Sequence, residues 1–133
     1  FTDLKKLFPE EEFQFEAPSP ELKLNADRTQ IEQVLINLLK NAREACNRKL
    51  DKNIQVKVKK LSAGNTALTI SDNGEGILPD VLDKIFVPFF TTKTSGSGIG
   101  LSLCKQIMTL HEGSINVKSE VGKGSSFILT FPK

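Results

Sequence analysis

Apolar residues recur along this chain at two periods, and the change from one to the other divides it into elements. From residue 27 to about residue 47 the spacing is helical. At about 100° per residue, Ile31, Val34, Leu35, Leu38, Ala42 and Ala45 fall on one stripe. Asp27 with Gln30 three residues later makes a capping-box start for this helix. Ile36 and Leu39 fall toward its outward side, as scattered exposed apolar residues commonly do. Elsewhere the period is two. Phe13 and Phe15 alternate within residues 12–16, and after Pro18, Ser19 and Pro20 the alternation resumes at Leu22 and Leu24, which predicts two strands joined by a turn. Ile54, Val56 and Val58, a turn at residues 62–65, then Ala67, Leu68 and Ile70 predict an antiparallel hairpin. Residues 79–86 predict a short helix with Val81, Leu82 and Ile85 inward and Pro79 in its first turn. A second long helix is predicted from Gly98 to about Leu110, burying Ile99, Leu103, Ile107 and Leu110, and Gly113 closes it. Ile115 and Val117, a turn at residues 121–124, and Phe127, Leu129 and Phe131 predict a last hairpin.

Composition narrows the class without naming a function. At 133 residues the chain is long enough for one domain with its own core. The net charge of +2 is spread along the sequence with no basic block, which argues against nucleic-acid binding. No apolar run approaches the roughly 20 residues that span a bilayer, and no signal peptide is visible. Cys46 and Cys104 fall in predicted helices without metal-ligand spacing and read as reduced structural thiols of a cytosolic protein. The abrupt start reads as a cut inside a larger protein, so residues 1–11 are expected to be linker and residues 12–133 the domain.

Beside the apolar stripe of the first long helix runs a second, made of Gln30, Gln33, Asn37, Asn41 and Glu44, with Asn41 nearest the apolar edge. Asparagine is a mediocre helix former, so two of them one turn apart in mid-helix cost stability. Either they are solvated or bonded to a loop, or an amide oxygen faces a cleft and helps hold a hard cation, which takes oxygen ligands. Asp72 ends a predicted strand and begins Asp72-Asn-Gly74-Glu-Gly76. This fits an Asx-type turn, or a carboxylate held at a cleft with glycines permitting close approach of a ligand. Residues 87–98 begin apolar and end in small hydroxylated residues, as a lid anchored at one end would, or a plain surface loop. Gly98 and Gly100 lead into a helix start, where free N–H groups and the helix dipole favour phosphate. The run is neither a dinucleotide fingerprint nor a P-loop. His111 sits at a helix C-terminus, where the dipole favours its charged form, and reads as structural.

Taken in order, Asn37/Asn41, Asp72-x-Gly74-x-Gly76, Phe86 ahead of the lid-like segment, Gly96-x-Gly98-x-Gly100 and Gly122-x-Gly124-Ser125 resemble the nucleotide-binding boxes of the ATP-binding family shared by sensor histidine kinases, gyrase and mismatch-repair ATPases. The stretches Asn37-Leu-Leu-Lys-Asn41-Ala42, Ile85 to Lys93 and Gly98-Ile-Gly100-Leu101 resemble a histidine kinase catalytic domain. The resemblance implies an α/β (α+β) Bergerat two-layer sandwich: a mixed five-stranded sheet with about three helices on one face. It implies ATP and Mg²⁺ as ligands. Asn41 would coordinate the metal. Asp72 would accept from the adenine amine, with Gly74, Gly76 and Ile77 bordering the base and Ser125 supporting Asp72. Phe86 would precede the lid, and Gly96, Ser97, Gly98, Ile99, Gly100 and Leu101 would close on the phosphates with Lys93 supplying positive potential.

Asn37 occupies the position where hydrolytic relatives carry a glutamate that activates water, and an amide cannot serve as that base near neutral pH. The resemblance therefore implies transfer of the γ-phosphate to a histidine on a separate dimerisation domain of the parent protein, with a response regulator receiver domain downstream. Such a fragment is expected to be monomeric, cytoplasmic and free of membrane and nucleic-acid contact, whether or not its parent is membrane-anchored. Glu44, among the nucleotide-side positions, stands where many relatives carry lysine, and Arg43 or Lys93 would have to compensate. No acceptor histidine is visible. An ATPase or serine kinase of the same fold, and a non-catalytic interaction module, remain alternatives.

Overall fold

The computed structural model describes residues 14–16, 27–46, 51, 53–61, 64–87 and 100–132. Four antiparallel strands form the sheet: β2 (Ile54–Lys60), β3 (Thr66–Asp72), β4 (Ser114–Glu120) and β5 (Gly124–Phe131), in the spatial order β2-β3-β5-β4. A three-residue strand, β1 (Gln14–Glu16), runs parallel to β2 at the edge. The helices are α1 (Arg28–Ala45), the single turn α2 (Pro79–Leu82) and α3 (Gly100–Leu110). No helix among the described residues is long and apolar enough to cross a membrane.

Strand alternation decides which face meets the helices. Register puts Val56, Ile70, Phe127 and Val117 in one row across the sheet, and Val58, Leu68, Leu129 and Ile115 in the next. Both rows pack into the cluster that contains Ile31, Val34, Leu35, Leu38 and Ala42 of α1 and Cys104, Ile107 and Met108 of α3. The opposite face carries Lys57, Thr69, Asn116 and Lys118, with a Ser71 to Ser126 hydroxyl bond of 2.9 Å across its centre. This is the one-sided pattern that antiparallel sheets permit.

Helix α1 starts as expected, with the Asp27 side chain accepting from the Gln30 N–H at 3.0 Å. Its burial is wider than one stripe. Leu39, expected outward, is 2% exposed, and Ile36 is half-buried. Helix α1 lies against β3 and β5 and also against α3, which meets it along the flank of Val34 and Asn37. In α3 the buried positions are Cys104, Ile107 and Met108, whereas Leu110, expected inward, is 68% exposed. At about 100° per residue Leu110 lies about 120° away from Cys104, off the stripe. The helix expected over residues 79–86 stops at Leu82; Lys84 and Val87 then bond three residues back, to Val81 and Lys84, as tight turns. His111 is structural but not as a cation. Its Nδ1 bonds the Ile107 carbonyl at 2.8 Å, and Nε2 accepts from the Asp27 N–H at 3.0 Å, which requires the neutral ring. It ties the end of α3 to the start of α1. The predicted strand at Leu22 and Leu24 lies outside the described residues.

The β4–β5 turn is pressed against β3. Gly124 has φ +121°, and a Cβ there would overlap the Asp72 carbonyl oxygen. Gly124→Ala is expected to lower stability by roughly 2 to 4 kcal/mol, from backbone strain plus collision, readable by denaturant unfolding.

Candidate functional site

At one end of the sheet the inward row turns polar. Two residues beyond Ile70, Phe127 and Val117 the same alternation places Asp72, Ser125 and Ser119, which are adjacent in register. All three strands therefore point a polar group toward the helix layer where apolar packing stops. Asp72 accepts from the Gly74 N–H at 2.8 Å, the Asx turn expected from the sequence, and from the Ser125 N–H. Burial pushes its pKa up, and those two N–H bonds offset the rise only in part. A carboxylate has about four acceptor positions, so two internal bonds leave capacity for a ligand.

Ser119 was not picked out from the sequence, yet it is the hub of this row. Its hydroxyl accepts from the Ile77 N–H at 2.8 Å, donates to the Gly124 carbonyl at 3.1 Å and meets the Ser125 hydroxyl at 2.8 Å. One hydroxyl carries one hydrogen, so with Ser119 donating to Gly124 the Ser125 hydroxyl donates to Ser119. Thus Ser125 touches Asp72 through its main chain and spends its side chain on Ser119. The signal was legible in principle: Ile115, Val117 and Ser119 keep one alternation that turns polar at its end.

The loop after Asp72 is held on both sides. Gly74 lies directly against the Ala45 carbonyl at the end of α1, and the Glu75 N–H reaches that same oxygen at 3.4 Å. Gly76, at φ +79°, lies against the Glu120 carbonyl, and the Glu75 carbonyl accepts from the Gly122 N–H at 2.9 Å. Asn73 fastens the loop to the chain beyond α1: Oδ1 accepts from the Asn53 N–H at 2.8 Å and Nδ2 donates to the Asp51 carbonyl at 2.9 Å. Asp72 therefore stands on a rigid strand tip.

Along α1 the amide stripe divides. Gln30, Gln33 and Glu44 are exposed, while Asn37 and Asn41 are half-buried. Asn37 lies beside Gly100, the first residue of α3, and its side chain bonds to Cys104. Ala45, Asn41 and Asn37 succeed one another by about 6 Å each along the helix axis. Asn41 therefore lies between a contact with the Asp72 loop at Ala45 and Gly74 and a contact with the start of α3 at Asn37 and Gly100, about 12 Å apart along α1.

Asp72 and Ser125 share an open depression of ≈ 290 Å³, which Ser119, Lys118 and Lys123 also line. Phe86 is half-buried and borders a separate depression of ≈ 490 Å³ with Ser102, Lys105 and Leu110; the Lys105 ammonium sits 5.5 Å from its ring centroid. Ile77 and Leu101 are half-buried and pack against the core. Lys93, Gly96, Ser97, Gly98 and Ile99, with the rest of the predicted lid, lie outside the described residues. Among the described residues no group of three or more His, Cys, Asp or Glu is arranged to hold a metal ion.

Comparison with known proteins gives the same architecture a lineage. Residues 26–133 match the family described as histidine kinase-, DNA gyrase B-, and HSP90-like ATPase. The sensor histidine kinase ZraS of Salmonella typhimurium is 41% identical over 110 residues, which are 83% of this chain and 23% of the relative. The chain thus spans about a quarter of that kinase's length. The nucleotide-free catalytic domain of the histidine kinase ThkA superposes with a TM-score of 0.85 at 36% identity, covering 99% of this chain and 89% of that one. A crystal structure of ThkA in complex with the response regulator protein TrrA gives a TM-score of 0.79 at 33% identity, covering 99% of this chain and 39% of that one. Matched over most of its length, and nearly coextensive with a solved catalytic domain of the same architecture, the chain belongs to the histidine kinase-, DNA gyrase B- and HSP90-like ATPase family as a histidine kinase catalytic domain.

Proposed function

We propose that this domain, placed at residues 12–133, binds Mg²⁺-ATP along α1 and delivers the γ-phosphate to a histidine on another domain of its parent protein. The observation that supports it most is the run along one side of α1, from the Asp72 loop at Ala45, past Asn41, to Gly100 beside Asn37. In this reading Asp72 receives the adenine amine, and Gly74, Gly76 and Ile77 border the base. The phosphates lie toward the start of α3, where Gly100 and Leu101 offer the N-terminal end of a helix dipole. Lys93 and residues 96–99 would close over them. Phe86 anchors the chain where it enters that segment, and Glu44 lines the outer edge.

The donor set near Asn41 fits Mg²⁺. A single amide oxygen, with no carboxylate cage among the described residues, suits an ion that keeps several waters and takes most of its other oxygens from phosphates. Asn41 would hold such an ion, which would supply charge neutralisation at the phosphates. Asn37 has no basicity with which to deprotonate water, so the site positions ATP for an outside nucleophile rather than hydrolysing it. Catalysis is then placement and charge compensation. The receiving histidine and the downstream response regulator are the partners, and the domain works as a monomer in the cytoplasm.

The test is to mix this chain with ATP, Mg²⁺ and the parent's histidine-bearing domain. Acid-labile phosphate on that domain, and none on this chain alone, is the expected result. Absence of transfer under every condition would defeat the reading, and sustained phosphate release by the isolated chain would favour an ATPase.

Acid supplies a further check. Only the ionised Asp72 is a pure acceptor, and its pKa is raised by burial. ATP affinity is expected to hold above that pKa and fall as pH drops through it, beginning at higher pH than for an exposed aspartate near 3.9. The stability effect of this group has the opposite sign. Its folded-state pKa lies above the unfolded value, so the native state binds more protons between the two values, and Asp72's contribution to stability is lost as pH rises through the folded pKa. Nucleotide titrations across pH, paired with unfolding curves, separate the two trends.

A further inference from the structure

Ser119 has its bonding capacity filled from inside the protein. A carbonyl oxygen has no hydrogen to give, so over the 3.1 Å to Gly124 the Ser119 hydroxyl is the donor. Its oxygen then accepts from the Ile77 N–H at 2.8 Å and meets the Ser125 hydroxyl at 2.8 Å. A hydroxyl has one hydrogen and two lone pairs, so the second lone pair takes the hydrogen of Ser125 and nothing is left over for a ligand. Ser125 is 6% exposed, and a buried hydroxyl needs a partner inside the protein. Its hydrogen is therefore committed to Ser119, and the Ser125 oxygen has only acceptor capacity left. Asp72 is the cross-strand partner of Ser125 on the same face. Directly opposed residues hold their Cβ atoms about 5 Å apart, so the carboxylate and the hydroxyl oxygen border one position.

From this arrangement we infer that Ser119 is a positioning residue for base selection: by taking the hydrogen of Ser125 it leaves only acceptors at the Asp72 and Ser125 pair, which admits an exocyclic amine and turns away a carbonyl. The inference rests on the proposed function, in which Asp72 receives the adenine amine. Without the Ser119 oxygen the Ser125 hydroxyl is free to rotate. It can then donate to a guanine carbonyl, or to the Asp72 carboxylate, where it takes up an acceptor position that the adenine amine uses. Either outcome erodes the preference for adenine while Asp72 itself is unaltered. A side chain with no capacity left for the nucleotide thus decides how its neighbour meets the base.

The experiment measures Kd for Mg²⁺-ATP by calorimetry, and for Mg²⁺-GTP by displacement of ATP, in this chain and in five variants: Ser119→Ala, Ser119→Thr, Ser125→Ala, the Ser119→Ala/Ser125→Ala double variant and Asp72→Asn. Ser119→Ala also strips the Ile77 N–H and the Gly124 carbonyl of a partner, and a loosened loop weakens both nucleotides together. The ratio of the two affinities is the readout that such loosening leaves in place. Ser119→Ala is expected to lower the preference for ATP over GTP by about five-fold or more, the worth of one redirected hydrogen bond. Ser119→Thr keeps the hydroxyl and is expected to restore most of that preference. In the Ser125→Ala background Ser119→Ala is expected to leave the ratio where Ser125→Ala alone sets it, because no hydroxyl remains to redirect. Should alanine at position 119 impair folding, Ser119→Val against Ser119→Thr makes the same comparison, the two having one shape and differing in the hydroxyl. An unchanged ratio in Ser119→Ala beside a collapsed ratio in Asp72→Asn would overturn the inference alone, as would an equal fall in the Ser125→Ala background. If Asp72→Asn leaves both affinities as they are, the adenine reading of the site fails instead, and this inference with it.

Discussion

Asp72→Asn is expected to weaken ATP binding by about 10- to 100-fold, corresponding to loss of a hydrogen bond to a charged group worth roughly 1.5 to 3 kcal/mol. The variant is informative because asparagine keeps an oxygen that can accept from the Gly74 N–H, so the turn that shapes the loop is preserved. What disappears is the exclusive acceptor. A carboxylate accepts from the adenine amine and repels the guanine carbonyl, whereas an amide can donate to that carbonyl. The ratio of ATP to GTP affinity, measured by calorimetry, should therefore collapse further than ATP affinity itself. Unchanged ATP binding would leave Asp72 as a turn residue only.

Asn41→Ala is expected to remove the metal-dependent part of binding. Affinity in Mg²⁺ should fall on the order of 100-fold, toward the value found with a chelator present, as for loss of a group that fixes a bound metal. The chelator value itself should change little. Alanine is the better helix former, so the substitution does not oppose α1 locally. Equal losses with and without Mg²⁺ would contradict a role at the ion and point to a contact with the nucleotide itself.

Much of this site could be read from the sequence because it rests on periodicity. The 3.6-residue turn places Asn37 and Asn41 together beside an apolar stripe, and both are half-buried on α1. Strand alternation puts Asp72 in phase with Leu68 and Ile70, so its inward direction follows from Val-Ile-Leu patterning alone. What escaped depends on partners distant in the chain. Leu39 is 2% exposed although the periodicity of α1 turns it outward, because one helix's periodicity does not count its neighbours. Ser119 matters because register sets it against Ser125 and the loop brings Ile77 to it. The charge state of His111 was argued from its own helix dipole, but the deciding donor is the Asp27 N–H, 84 positions earlier. Local rules gave the direction of side chains; they could not supply what those side chains meet.

The glycines around the Asp72 loop carry one more implication. At Gly76 and Gly124 an added Cβ would strike the carbonyl oxygens of Glu120 and Asp72, which are main-chain atoms. Every amino acid brings the same carbonyl, so trimming a neighbouring side chain opens no space. Compensation for a larger residue at either place would have to come from moving a whole strand or turn, and in a sheet paired on both flanks of β3 that motion disturbs the very carboxylate the loop presents. Both positions are thereby closed to gradual exploration by single neighbouring replacements.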